Sequence, residues 1–311
     1  MNNPTKIYPC LLLLAACIAI SACRQPPKPP AEKPRASFKS VRGIGFTEVR
    51  RCFGNGYSFN NKGYSLEPNW RLSFPSDDSV NIYNPKRKRF VNAPLLFDHD
   101  SVFNIAWAYL RLKKLTKDSI KFQVLRVNGR VIDNDGSDVY MTLYANDYIK
   151  NVLHKDPLNL PAANRRDTLL IKKLTEQARL DPHKAFAARQ IARLISKTPL
   201  VKVETIVNDD RSDTDTDGPP IDYLSPEYHI TISKAYDDFS YYFTIYVDEN
   251  GQISFGKPMT PLMPPFSETY PRIMKAITNG YLKAYLKIIP GTTLGIAHTS
   301  EVIVFVKGTK S

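Results

Sequence analysis

The sequence has few of the side chains from which catalytic sites are built. It contains five histidines, and no two of them stand four positions apart, the spacing of a helical metal site. It has no glycine-rich phosphate loop and no nucleophile elbow. The carboxylate pairs Asp77-Asp78 and Asp237-Asp238, and the triplet Asp98-His99-Asp100, stand in sequences typical of turns. We therefore predict no catalytic residues, no metal site and no cofactor, and expect that the protein is not an enzyme.

The sequence also has no hydrophobic run long enough to span a bilayer. Its apolar stretch from Pro9 to Ala22 has about 14 residues, whereas a spanning helix needs about 20. The basic residue Lys6 precedes this stretch, and small residues end it. A charged start, a short apolar segment and small residues are the layout of an export signal.

The end of that stretch, Ile20-Ser21-Ala22-Cys23, resembles the lipobox of bacterial lipoproteins. The resemblance implies that residues 1–22 are a signal peptide and that Cys23 becomes the acylated first residue of the mature protein. In the Gram-negative lipoproteins that it resembles, an aspartate after the cysteine favours the inner membrane. Arg24 stands there instead, which implies an outer-membrane lipoprotein that faces the periplasm. Several acyl chains would hold it firmly, because one chain alone binds a membrane only marginally.

Cysteine is scarce beyond the lipobox. Cys10 and Cys17 lie in the predicted signal peptide and Cys23 is the predicted lipidation site, which leaves Cys52 alone. An intramolecular disulfide is then excluded even in an oxidising compartment. Because Phe53 stands beside it, Cys52 is predicted to be a small buried core residue, with a reactive thiol as the alternative.

Acidic residues are outnumbered, with 30 Asp and Glu against 43 Lys and Arg, and the formal net charge is +13. In an exported lipoprotein this charge favours anionic lipid headgroups or envelope polymers as counterparts, and we predict no nucleic-acid partner. The most concentrated basic run is Pro85-Lys86-Arg87-Lys88-Arg89. We predict a solvated loop between two strands there, with a membrane or polyanion contact as the alternative.

Proline is dense directly after the predicted lipidation site. The segment from Gln25 to Pro34 is rich in proline and lysine. Such a segment favours polyproline II and behaves as a semi-rigid spacer. Residues 23–37 are therefore predicted to be a tether between the membrane and the folded part.

Residues 38–155 are predicted to be a β-rich domain. From Gly56 to Lys150 the dominant hydrophobic period is two, which predicts antiparallel strands with one buried face. The alternating sets are Trp70, Leu72 and Phe74; Phe103, Ile105, Trp107 and Tyr109; Ile120, Phe122 and Val124; and Val139, Met141 and Leu143. Turn sequences such as Asn84-Pro85 and Asn128-Gly129 separate them. About six to eight such strands indicate a meander or partial barrel.

Three segments of this region, Trp70–Val80, Ala108–Ile120 and Val139–Tyr144, resemble the lipocalin-like domains of small bacterial lipoproteins. In those domains a tryptophan strand and turns of the SDDS and KLTKDS type recur along an up-and-down meander. If the barrel closes at about eight strands, its interior is wide enough for one small apolar ligand. If it stays open or fills with aromatic side chains, there is no pocket.

Residues 156–200 are predicted to be a helical segment. From Asp167 to Lys197 the hydrophobic period becomes helical, which predicts a helical hairpin. The repeating apolar residues are Leu169, Leu170, Leu174 and Ala178, followed by Phe186, Ile191, Leu194 and Ile195. Asp167 or Thr168 is predicted as the N-cap of the first helix, and Asp181-Pro182 as the start of the second.

Residues 201–222 are predicted to be a strand followed by an acidic flexible linker. Within the linker, Asp213–Gly218 matches the opening of a calcium-binding loop. Leu224 occupies the position where such a loop has a bidentate glutamate, and Pro219 and Pro220 disturb the expected backbone. The sequence therefore favours a linker over a calcium site.

Residues 223–311 are predicted to be an α+β unit of two strands, a helix and a strand. Its segments Val247–Ile253, Ile273–Ile277, Pro290-Gly291 and Val302–Phe305 are similar to the C-terminal domain of TonB-type energy transducers. This resemblance implies a protein-interaction module whose edge strand pairs with a partner. It does not imply energy transduction, because a lipid anchor stands where the proton-coupled transmembrane helix would be.

The sequence as a whole predicts an α+β protein that is mostly antiparallel β, with an N-terminal meander or partial barrel, a central helical hairpin and a C-terminal ββαβ unit. We expect an acylated envelope lipoprotein that acts as a binding or assembly component and carries a small apolar ligand. The alternative is a protein–protein adaptor that uses the C-terminal unit.

Overall fold

A computed structural model describes residues 36–129, 131–160, 163–206 and 222–310. Residues Ser37–Ser311 form one unit and Met1–Ala36 another. The predicted lipidation site Cys23, the signal peptide, most of the tether and the Asp213–Gly218 segment lie outside the described residues. None of the helices in the described ranges combines the length and the apolarity needed to cross a membrane.

Eight antiparallel strands close into a barrel in the order β1-β10-β7-β6-β5-β4-β3-β2. The barrel strands are β1 (Phe46–Phe53), β2 (Arg71–Ser76), β3 (Ser79–Asn84), β4 (Arg89–Phe97), β5 (Val102–Ile105), β6 (Ala108–Leu115), β7 (Ser119–Val124) and β10 (Val139–Ala145). Between β7 and β10, the strands β8 (Arg126–Asn128) and β9 (Val131–Asp133) form a small separate hairpin. The meander prediction is confirmed, and the barrel is closed because β1 pairs with both β10 and β2.

Alternation along the strands places large apolar side chains inside the barrel. The predicted faces are confirmed at Leu72, Phe74, Phe103, Ile105, Ile120, Phe122, Met141 and Leu143, each at most 1% exposed. The interior is therefore a core of interdigitating side chains, which is how small closed barrels exclude water.

The prediction was wrong for Trp107 and for Tyr109, which pairs with Asn104 on the opposite face while Leu110 pairs with Phe103 inside the barrel. Ile105 pairs with Ala108 across a two-residue turn, so Ala106 and Trp107 stand at the tip of the β5–β6 hairpin. Trp107 is 84% exposed. Both turn residues have positive φ, 48° and 71°, as a type I′ turn requires. The alternating pattern continued through the turn and gave no sign of it.

The meander topology divides the connecting turns between two ends of the barrel. The β2–β3, β4–β5 and β6–β7 turns lie at one end, and the β3–β4 and β5–β6 turns lie at the other. At the first end, a 3₁₀ turn at Lys39–Val41 follows Phe38, which is 1% exposed. The Phe38 ring stacks on Phe74 at 4.1 Å and meets the edge of Phe103 at 5.2 Å. We call this the plugged end.

Two helices follow the barrel, α1 (Asn146–Asn151) and α2 (Arg165–Leu180). The N-cap of α2 is Asn164, and not Asp167 or Thr168 as predicted. Asp167 occupies the third helical position, where its carboxylate accepts from the backbone N–H of Asn164 and completes a capping box. The same carboxylate accepts from Ser58 N at 2.8 Å and pairs with Arg50 at 3.0 Å, which fixes the helix against β1.

The second helix of the predicted hairpin is absent from the described residues. Asp181 and Pro182 open only a 3₁₀ turn, Pro182–Lys184. The chain then runs extended, because Ala187 N donates to Lys62 O and Gln190 N donates to Thr292 O. Residues Arg193–Ser196 form a strand, β11. Pairing with distant backbone has thus overridden a helical hydrophobic period.

The C-terminal part is built on a five-stranded sheet. Its strands are β12 (Val201–Ile206), β13 (Glu227–Ser233), β14 (Phe239–Val247), β15 (Ile253–Pro258) and β19 (Ser300–Thr309). Between β15 and β19 the chain forms two helices, α3 (Thr269–Ile277) and α4 (Lys283–Tyr285). Three short strands follow them, β16 (Leu286–Ile289), β17 (Thr292–Thr293) and β18 (Ile296–Ala297). The order is β12-β13-β19-β14-β15, and β13 and β19 are parallel. A π-helical segment, Thr278–Leu282, joins α3 to α4. The described part of the chain is mostly antiparallel β.

The segment between β1 and β2 connects the barrel to the C-terminal part. The Tyr223 hydroxyl accepts from Ser65 N at 2.8 Å. Arg189 donates to the Glu67 carboxylate at 3.0 Å, and this hydrogen bond lowers the pKa of Glu67. Polar contacts of this kind, together with α2, hold the two sheets in one unit.

Candidate functional site

The residues that the sequence singled out for chemistry do not converge. The Asp98-His99-Asp100 triplet lies in the exposed turn between β4 and β5, as predicted, and the His99 ring contacts the Asp98 carboxylate. Cys52 is a free, half-buried residue on β1, opposite Tyr140. In the described parts of the chain, no group of three or more His, Cys, Asp or Glu side chains is arranged to hold a metal ion.

One histidine is fully buried, and its role is structural. His298 stacks on the Phe186 ring at 3.7 Å. Thr299 O, a carbonyl oxygen, can only accept, so His298 Nδ1 carries the ring proton and donates to it at 3.1 Å. In the neutral ring Nε2 then accepts from the Thr293 hydroxyl, 2.9 Å away, and Thr293 Oγ1 itself accepts from Arg189 N at 3.1 Å. Burial lowers the pKa of His298 to about 4, and the ring is neutral at physiological pH.

The barrel interior offers no room at the positions where a carried ligand would lie. Phe46, Phe74, Phe103 and Phe122 are all fully buried inside it. Phe38 covers the plugged end by stacking on two of them. Aliphatic side chains such as Leu72, Ile105 and Leu143 are buried there as well, so aromatic and aliphatic side chains together fill the barrel.

An apolar groove lies on the helical layer of the C-terminal part. It has a volume of about 380 Å³. The lining residues are Tyr236, Ile273, Ala276, Ile277, Gly280, Tyr281, Ala284 and Tyr285. All but Tyr236 come from the continuous helical stretch formed by α3, the π-helical segment and α4. The buried side of that stretch, including Met274, Ile277 and Leu282, packs on the sheet.

Tyrosine rings form the walls of the groove. The Tyr236 ring stacks with the Tyr281 ring at 6.3 Å, and Tyr236 N donates to the Tyr281 hydroxyl at 2.9 Å. The centroid of the Tyr285 ring lies 5.9 Å from that of the Tyr281 ring. Tyr236 is 61% exposed. Ring faces held open to solvent in this way provide contact area at a small cost in side-chain entropy.

The floor of the groove is open because it is made of small residues. A Cβ atom added at Gly280 would meet no other atom within 4 Å. Gly280 also lies in the π-helical segment, a type of irregularity that is frequent at functional sites. Thr278 stabilises the segment by donating its hydroxyl to Met274 O at 2.9 Å.

Charge surrounds the groove but does not enter it. Lys275 and Lys283 are exposed and stand next to the lining residues Ala276 and Ala284, whereas the exposed Asp237 follows Tyr236. Burial raises the pKa of the nearby Tyr241 hydroxyl, and Tyr236 and Tyr270 add to that rise. This phenol is therefore neutral at physiological pH. The two lysines beside the helical stretch suit an apolar group bordered there by negative charge.

Other clefts formed by described residues have mixed walls. The cleft beside the β8–β9 hairpin, about 670 Å³ in volume, includes Asp98, His99 and Arg111. The cleft beside β1 and β2, about 420 Å³, includes Arg71, Lys150 and Asp156. Neither brings an acid, a base and a nucleophile together in the way that catalysis requires.

Comparison with protein families found no matching family model, and comparison with curated proteins found no match.

The sequence did not reveal the groove. Its walls come from positions more than 35 residues apart, and no local pattern joins them. The one signal that could have pointed to a binding surface is the number of tyrosines, 17 in all.

Proposed function

We propose that this chain is an acylated cell-envelope lipoprotein, anchored through Cys23 to the outer membrane and facing the periplasm. We further propose that it acts as a non-enzymatic adaptor. The binding surface of this adaptor is the tyrosine-walled groove of the C-terminal part, and the barrel supports it. The anchor rests on the lipobox resemblance, and the adaptor role rests on the geometry of the groove.

Two features together support the adaptor role: the C-terminal part has an open apolar groove, and the barrel interior is filled. The lining residues from Ile273 to Tyr285 span about 18 Å along a helix, at about 1.5 Å per residue. A surface of this length, open along one side, fits a peptide segment better than a small molecule, which proteins usually enclose. The partner is therefore an envelope protein that presents an apolar segment bordered by acidic residues.

The closed barrel fits the lipocalin-like resemblance in architecture, but its packing argues against carriage of a ligand. Placing a ligand inside would require several buried phenylalanines to leave their positions, at a cost comparable to removing core side chains. We therefore favour the adaptor over the carrier.

The anchor is tested with Cys23→Ala in intact cells. We expect the variant to leave the membrane fraction, because the acyl chains supply the attachment. An unchanged membrane fraction contradicts the acyl anchor.

The groove is tested by cross-linking in the full chain. A photoreactive phenylalanine analogue replaces Tyr285, and the control replaces Tyr148, a half-exposed tyrosine of α1. We expect a discrete protein adduct from the groove position only. An added Cβ at Gly280 meets no atom within 4 Å, so Gly280→Leu fills the floor and is expected to abolish the adduct. Asn279→Leu, the exposed neighbour that does not line the groove, is expected to keep it. An adduct that survives Gly280→Leu contradicts the proposal.

A further inference from the structure

The end of the barrel opposite Phe38 carries a concentration of positive charge. Lys86, Arg87, Lys88 and Arg89 form the tip of the β3–β4 hairpin, and all four are exposed. None of them makes an ion pair with another described residue. Phe90 follows at once and is 48% exposed. The run is thus a free cluster of charge with an aromatic ring at its base.

Trp107 lies at the same end of the barrel. Its hairpin tip, between β5 and β6, neighbours the β3–β4 tip, because the intervening β4–β5 turn lies at the plugged end. Two strand spacings, about 10 Å, separate the two tips across the strands, and the six residues from Leu95 to Arg89, about 20 Å, separate them along β4. The β3–β4 tip projects further, since β4 continues from Leu95 to Arg89 past its pairing with β5. We call residues 86–90 together with Trp107 the basic rim.

Trp107 contributes nothing visible to the fold. Its side chain is 84% exposed, and its backbone has a φ of 71°. Positive φ is a genuine outlier for a bulky residue, and such outliers concentrate where a function requires them. An exposed indole and a run of Lys and Arg at one end of a barrel are a combination that membrane interfaces favour, because indole rings settle among headgroups and basic side chains pair with anionic lipids.

We infer that the basic rim is a second membrane contact, which docks on a surface of anionic lipid headgroups with Trp107 inserted at the interface. Charge complementarity identifies the occupant: the chain has a net charge of +13, and the four rim cations have no protein partner among the described residues. This contact is independent of the adaptor groove and of the acyl anchor. It orients the barrel against the bilayer, which an anchor on a tether does not do.

The test uses Trp107 as its own reporter. The chain has two tryptophans, so Trp70→Phe in the full-length protein leaves Trp107 alone. The protein is reconstituted in vesicles of phosphatidylcholine with or without phosphatidylglycerol, part of the lipid carrying brominated acyl chains. We expect a blue shift and strong quenching of Trp107 emission in the anionic vesicles, and neither in the neutral ones. Emission typical of water-exposed indole in both vesicles overturns the inference.

Matched charge reversals separate the rim from general electrostatics. Arg87→Glu with Lys88→Glu is expected to abolish the blue shift and the quenching. Lys172→Glu with Lys173→Glu makes the same change in net charge on exposed positions of α2 and is expected to leave both signals intact. Equal loss in the two variants overturns the assignment to the rim. An equal blue shift with a soluble polyanion and no lipid overturns the assignment to a membrane.

Discussion

The two ends of the barrel differ in how they use an aromatic residue. At the plugged end, Phe38 is buried and stacks on interior rings, and the Asp77 carboxylate accepts from its backbone N–H at 2.7 Å. At the basic rim, Trp107 is exposed on a turn of positive φ. The aromatic side chain at the plugged end packs in the core, whereas the aromatic side chain at the basic rim is exposed to water. The difference shows that stability accounts for the first residue and not for the second.

The charges at the two ends differ in the same way. The turns of the plugged end contain Asp77, Asp78, Asp98, Asp100 and Asp118, whereas the rim contains four consecutive basic residues. Carboxylates serve turns well by accepting backbone hydrogen bonds. A block of like charge at one hairpin tip has no such structural use, because the charges repel one another. The plugged end thus follows the requirements of folding, and the rim departs from them.

The largest expected effect comes from removing the plug. Phe38→Ala leaves a cavity between Phe74 and Phe103, and we expect the free energy of unfolding to fall by about 3–5 kcal/mol. Phe90→Ala at the rim, which removes an equally large ring from a half-exposed position, is expected to cost about 1 kcal/mol or less. Urea unfolding followed by circular dichroism measures both. Equal losses would contradict the difference between the two ends.

Acidification tests the buried histidine of the C-terminal part. His298 is neutral in the folded protein and has a pKa lowered to about 4, whereas an unfolded histidine titrates near 6.5. The contribution of His298 to the free energy of unfolding is fully present above a pH of about 6.5. It is lost as the pH falls towards about 4, and we expect the free energy of unfolding to fall by about 3 kcal/mol over this range. Urea unfolding over this range measures it.

The control for this pH dependence is His298→Gln, which removes the titrating group. The variant is expected to be less stable at neutral pH and to show a flatter dependence of stability on pH between about 6.5 and about 4. If the wild type and the variant lose stability in parallel over that range, His298 is not the group responsible.

A smaller effect is expected at the turn that holds the plug. Asp77→Ala leaves the Phe38 N–H without its acceptor and removes the bonds from the Ser37 hydroxyl. We expect a loss of about 1–2 kcal/mol. Asp98→Ala, in an exposed turn at the same end, is the matched control and is expected to change stability by about 0.5 kcal/mol or less. If Asp98→Ala lowers the free energy of unfolding more than Asp77→Ala does, the prediction that Asp77 holds the plug is contradicted.

Much of the fold was readable from local patterns. Alternation located the barrel strands and their buried faces, because Leu72, Phe74, Ile120 and Phe122 obey the two-residue period of a half-buried strand. Whether the barrel would close and fill was left open, since closure depends on the pairing of β1 with β2, which no local pattern encodes.

The errors share a physical cause, which is that distant contacts decided the local structure. Residues 186–195 have a helical period, yet Ala187 and Gln190 bond to remote backbone and the chain stays extended. The cap of α2 was misplaced because Asp167 is held by Arg50 and Ser58, residues over 100 positions away. The groove was missed for the same reason, since Tyr236 reaches Tyr281 only in the folded chain.

The smallest expected effect has the opposite sign and lies at the rim. Each non-glycine residue in the left-handed region costs about 1–2 kcal/mol, and glycine adopts this conformation freely, although it loses about 0.5–1 kcal/mol more chain entropy on folding. Trp107→Gly is therefore expected to raise the free energy of unfolding by about 0.5–1 kcal/mol, measured by urea unfolding. Ala106→Gly relieves the same strain at φ of 48° and is the matched control. If Ala106→Gly stabilises the barrel and Trp107→Gly destabilises it, the indole packs on the fold after all. If both substitutions stabilise the barrel, the stability of the fold does not explain a tryptophan at this tip. The explanation must then lie in what the basic rim binds.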